Sequence, residues 1–129
     1  EKDKRLVEME FGLMDGKSEE GEAKEHLDKR KKDLSHKFPE GESYEDLIER
    51  VDDFLKDLFS EDLEKVLVVG HGGINRTLLS RLLKLDLSNP ENLTHINVDN
   101  PIVYSLDTET KEVNWKNTLT GEEGEGLLR

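Results

Sequence analysis

Val66-Leu67-Val68-Val69-Gly70-His71-Gly72-Gly73-Ile74-Asn75 is the stretch that decides the fold. Lys65 and the four apolar residues after it form a short β-branched run closed by glycine. This predicts a strand buried on both faces, as in a parallel sheet covered by helices on each side. Directly after it, Ile74, Leu78, Leu79, Leu82 and Leu83 recur at helical spacing. Upstream, Ser43 followed three residues later by Asp46 is a capping-box start, and Leu47, Ile48, Val51, Phe54, Leu55 and Leu58 follow at intervals of three and four. An amphipathic helix is therefore expected from about Tyr44 to Phe59. Helix, buried strand, glycine turn and helix is the grammar of an α/β fold with a mainly parallel sheet. Further on, 101–106 and 112–115 read as a hairpin near a sheet edge.

The same stretch holds the most concentrated chemistry in the chain. His71 lies between glycines at the carboxyl end of the predicted strand and the start of the next helix, where α/β sheets place ligands. Free N–H groups and the positive end of the helix dipole attract an anion there, and glycine lets it come close. Imidazole can donate to that anion or move a proton near neutral pH. Competing chemistries lack their parts. None of the seven serines sits in a Gly-x-Ser-x-Gly elbow, and no Gly-x-x-x-x-Gly-Lys loop occurs. The four histidines, His26, His36, His71 and His95, show no close pairing of the metal-binding kind. His26 and His36 are expected to be solvated, and His95 to pack in a loop.

Composition narrows the function further. The 129 residues suit one domain, and 19 Lys and Arg against 31 Asp and Glu leave a net charge of −12. A tracker of nucleic-acid backbones or a binder of anionic membranes needs clustered positive charge, so neither is expected. A small anion in a single positive cleft remains compatible. No apolar run approaches a membrane span and the chain holds no cysteine, which fits a cytoplasmic setting. Most of the negative charge, −9, falls in residues 1–65, and −3 falls in 66–129. Within the first half, residues 17–37 read as a charged helical insertion or lid carrying Lys29-Arg30-Lys31-Lys32, with a solvated surface as the plain expectation. Residues 118–129 read as a polar, flexible tail with no strand.

Four ordered motifs carry a resemblance that spans Leu6 to about Trp115. They are Leu6-x-Glu8-x-x-Phe11-Gly12, Gly41-Glu42-Ser43 opening a helix with Arg50, Val66 to Gly73 followed by Arg76, and Asp99-Asn100-Pro101-Ile102 before a strand. In this order they resemble the histidine phosphatase superfamily, which has the phosphoglycerate mutase-like fold. The resemblance implies a three-layer α/β domain over 1–129 and phosphoryl transfer through a phosphohistidine. It implies that His71 is the second catalytic histidine, which stabilises the transferring group. Glu8 falls on the general acid/base, and Gly72 on a backbone donor to phosphate. Electrostatic stabilisation of this kind is what phosphoryl transfer chiefly needs. No metal or other cofactor is implied, because histidine, arginine and backbone donors neutralise the phosphate. Ser43 is sufficiently explained as a helix cap, Arg50 and Arg76 as structural ion pairs, and Asn100 as a turn residue.

The chain departs from the family in one large respect. The family nucleophile sits in an Arg-His-Gly motif on the first strand, and no Arg-His dipeptide occurs here. The expectation is a fold incomplete on its amino-terminal side, with an open apolar sheet edge beside Val66 to Val69 that invites pairing, including a homodimer. The functional expectation is a phosphomonoester phosphatase, ahead of a phosphomutase, acting on a small phosphorylated substrate with its nucleophile supplied by an absent segment. The alternative is a catalytically inactive anion-binding or assembly module of the same fold.

Overall fold

A computed structural model describes all 129 residues. Four helices, α1 (Gly21–Lys32), α2 (Tyr44–Ser60), α3 (Gly72–Leu82) and α4 (Glu91–Thr94), precede three strands, β1 (Ile102–Leu106), β2 (Val113–Asn117) and β3 (Glu123–Glu125). The chain is thus α/β in content. Short 3₁₀ turns at Lys4–Leu6 and Gly12–Met14 bracket the Glu8 segment.

The second helix forms as its sequence dictates. The Ser43 hydroxyl accepts from the Asp46 N–H while the Asp46 carboxylate accepts from the Ser43 N–H, closing both ends of a capping box. Its apolar stripe, Leu47, Val51, Phe54 and Leu55, is buried against Ile74 and Leu78 of α3, with Met9, Phe38, Tyr44 and Leu93 completing the core. Arg81 of α3 grips Asp52 of α2 through two parallel bonds of 2.7 and 2.9 Å and fixes the pair in register.

The expected parallel sheet is not formed. Lys65–Val69 forms no strand, and no backbone hydrogen bond joins it to another segment. Leu67 is 84% exposed and Val69 81%, while Val68 alone packs against the core. A buried strand takes its identity from neighbours, and the remaining β-forming segments pair with each other instead. β1, β2 and β3 make an antiparallel sheet in that order, with Tyr104 opposite Trp115 and Trp115 opposite Gly124. The hairpin expected from 101–106 and 112–115 is present. Glu123–Glu125 adds a third strand in a stretch read as strandless, and the Tyr104 hydroxyl accepts from the Leu128 N–H while donating to the Asn97 carbonyl.

At the amino-terminal side, Arg5 ties its segment to α2 through Asp53 at 2.8 Å and Asp57 at 2.7 Å, and also pairs with Asp3. The Arg5 side chain and backbone N–H hold the Asp3 carboxyl down at about 2, from an ordinary value of 3.8. A carboxyl lowered on folding stabilises the protein above its unfolded value and loses that contribution as pH falls through its folded one. Asp3→Asn is therefore expected to lower stability at neutral pH. In denaturant melts the difference from the parent should close as pH drops from about 4 towards 2.

Candidate active site

Glu8 is carried on the chain between the two 3₁₀ turns, and three contacts fix that chain. The Arg50 guanidinium donates to the carbonyls of Arg5 and Val7, at 2.9 and 3.1 Å, and pairs with Glu42 at 3.0 Å. The Glu42 carboxylate accepts from the Glu10 N–H, and the Glu42 N–H donates to the Glu10 carbonyl. Gly12 then turns the chain at φ +57°, where a Cβ would collide with the Pro39 carbonyl, so no other residue fits the turn. The ion pair expected of Arg50 is present, and its purpose is visible: it clamps both sides of Glu8.

So held, the partly buried Glu8 carboxylate reaches the first turn of α3. One oxygen accepts from the Met9 N–H at 2.8 Å, and the same oxygen would lie 2.8 Å from a Cβ placed on Gly73. Glycine at 73 is what lets the carboxylate come against the helix. His71 is the N-cap of α3, exposed, with its carbonyl accepting from the Asn75 N–H at 2.8 Å and its side chain making no capping bond. The first N–H groups of a helix have no partner within it. The Glu8 carboxylate thereby meets the amino end of the helix that His71 caps, although Glu8 and His71 lie far apart in sequence. A helix amino end can attract an anion and hydrogen-bond it, and a carboxylate beside it can exchange a proton with it.

Arg76 differs from its expected role. It makes no ion pair: its Nε donates to the Ile96 carbonyl at 2.9 Å, and its Nη1 would lie 3.4 Å from a Cβ on Gly72. Its charge therefore stands beside the glycine turn. Spacing gave no sign of this, because the carbonyl that orients it belongs to the loop after α4.

The charged segment holds two further departures. Arg30 is not simply solvated. It lies 5.3 Å from the ring centroid of Tyr44, 5.5 Å from Phe38 and 5.8 Å from Phe11, and donates to the Met9 sulfur at 3.4 Å. It straps α1 onto the residue next to Glu8. His26 and His36, expected to be solvated, are bonded to each other across 2.9 Å. His95, expected to pack in a loop, is exposed at the end of α4. No group of three or more His, Cys, Asp and Glu side chains is placed to hold a metal ion. No helix is long and apolar enough to cross a membrane.

Comparison with known proteins places these features in a family context. Residues 1–118 match the profile of the histidine phosphatase superfamily (branch 1). A protein of Hydrogenobacter thermophilus named putative phosphoserine phosphatase 2 is 34% identical over 111 residues, covering 83% of this chain. The matched region is 53% of that relative, so the chain spans about half its length.

Proposed function

The chain belongs to the histidine phosphatase superfamily, and from that premise we propose that it carries the acid/base and phosphate-stabilising half of a phosphomonoesterase site. The observation that supports this most is the Glu8 carboxylate lying against Gly73, in the first turn of the helix that His71 caps. Glu8 protonates the leaving alkoxide oxygen as the phosphorus–oxygen bond breaks. Once the alcohol has left, the Glu8 carboxylate takes a proton from the water that attacks the phosphohistidine. His71 and the N–H of Gly72 donate to the phosphoryl oxygens, where the α3 dipole adds to the stabilisation.

The attacking imidazole comes, on this reading, from a segment outside these 129 residues. His26 and His36 occupy each other, His95 lies beyond α4, and no histidine follows an arginine. The strand bearing the nucleophile pairs with Lys65–Val69 and completes a parallel sheet there. The exposure of Leu67 and Val69 supports an edge of this kind. Given the relative's name, phosphoserine is the first substrate to test. The decisive experiment joins the chain to an Arg-His-Gly-bearing strand segment and follows phosphate release from phosphoserine. Turnover lost in His71→Ala supports the reading, and no turnover in the joined protein leaves an inactive anion-binding module.

The open edge has its own consequence. The 129-residue chain alone is expected to self-associate through Lys65–Val69, and the double variant Leu67→Lys/Val69→Lys to remain monomeric in sedimentation at the same concentration. A monomeric parent chain at high concentration would contradict this.

A further inference from the structure

His26 Nδ1 and His36 Nε2 lie 2.9 Å apart, with the ring planes 19° from parallel and the centroids 5.1 Å apart. That centroid separation is the nitrogen–nitrogen distance plus one ring radius at either end. The rings therefore meet edge to edge, close to one plane, with the facing nitrogens in line. This is the geometry of a single N–H···N bond, in which one ring donates and the other accepts. Metal chelation would need the two rings splayed about a common point, which they are not.

Counting protons shows what this bond can tolerate. With both rings neutral, the facing nitrogens share one proton. A first added proton goes to an outer nitrogen, such as His26 Nε2 at 3.9 Å from a Glu22 carboxylate oxygen, and the bridging bond becomes charge-assisted. A second added proton places two N–H groups and two positive charges face to face, and the bond is lost. Water offsets this repulsion poorly, because the His26 side chain is only 16% exposed and its other flank meets the Phe38 ring at 6.1 Å.

The surrounding charges act on both sides. On α1, Glu22 and Glu25 favour added protons while Lys29 and Arg30 oppose them; beyond the helix, Asp33 favours and Lys37 opposes. Lys29 holds the Glu25 carboxyl, and Ser35 the Asp33 carboxyl, below the usual range, so both stay anionic while imidazoles titrate. The short α4, which packs on α1, brings Glu91 and is followed by His95.

We propose that the His26–His36 pair is a proton-operated clasp that fastens α1 to the 33–38 turn while it carries at most one extra proton, and releases it when both rings are charged. The clasp joins the helix that also carries Ala23, Leu27 and Arg30 onto the core. Acid release would therefore loosen the strap on Met9, beside Glu8. The proposal stands independently of the phosphatase reading.

Amide hydrogen exchange of the 129-residue chain, corrected for the intrinsic rate, tests it. Between about pH 8 and about pH 5, protection of α1 relative to α2 is expected to fall roughly tenfold. His36→Gln still offers His26 a partner but takes up no proton, so its α1 protection relative to α2 should be the same at both pH values. Imidazole ¹⁵N spectra of the parent chain should show coupling between His26 Nδ1 and His36 Nε2 at the higher pH and none at the lower. The clasp is overturned by an unchanged α1 to α2 ratio in the parent, by an equal fall in His36→Gln, or by coupling that is absent at both pH values or persists while α1 loosens. Should His36→Gln fail to fold, the parent's exchange ratio and coupling decide the matter together.

Discussion

The 129-residue chain alone is expected to hydrolyse phosphoserine about 10⁶-fold more slowly than the same chain joined to a strand bearing an Arg-His-Gly nucleophile. The size of the effect follows from covalent catalysis. Without an attacking imidazole no phosphohistidine forms, and what remains is an anion site with an acid beside it. Such a remnant stabilises charge but cannot split the reaction into two easier steps. Physical joining matters as much as presence. Free imidazole in solution lacks the positioning that makes the attack effectively unimolecular. It is expected to leave the isolated chain near its basal rate in a phosphate-release assay.

Glu8→Gln in the joined protein is expected to lower kcat for phosphoserine by about 10²–10⁴-fold, the usual range for a positioned general acid or base. The alkoxide that leaves from phosphoserine is a poor leaving group, so the proton is needed as the bond breaks. Glutamine keeps the size of the side chain and can sit against Gly73, where the carboxylate oxygen now lies. The loss should therefore fall on kcat, with the melting temperature little changed, and steady-state kinetics beside a thermal melt check both. Holding Glu8 in place depends on the bonds from Arg50 to the carbonyls of Arg5 and Val7.

What could be read from the sequence follows how local each feature is. The second helix was legible nearly to the residue because a capping box and an apolar stripe lie within the helix itself. The hairpin of β1 and β2 was legible for the same reason, since its strands are joined by a short turn at Asp107–Glu112. Val66 to Val69 was legible as an apolar run but not as an unpaired one, because pairing is decided by partners elsewhere in the chain. The meeting of Glu8 with Gly73 joins distant segments, so the motif around Leu6, Phe11 and Gly12 marks Glu8 but not its contact. The His26–His36 bond and the aromatic seat of Arg30 left no periodic trace in a segment dominated by charge. Arg76 is expected to form an ion pair, whereas its orienting partner is the Ile96 carbonyl, a backbone group that no side-chain pattern around Arg76 signals.

The account rests on Glu8 and His71 serving one phosphate, with different tasks, and leaving-group dependence separates those tasks. In the joined protein, kcat/KM for Glu8→Gln and for His71→Ala is measured on phosphoserine and on p-nitrophenyl phosphate. The prediction is that Glu8→Gln is severely impaired on phosphoserine but nearly normal on p-nitrophenyl phosphate, whose leaving group needs no proton. His71→Ala, which loses charge stabilisation, should fall by about 10²–10³-fold on both substrates. Parental rates on phosphoserine in both variants would contradict the shared site at Glu8 and His71.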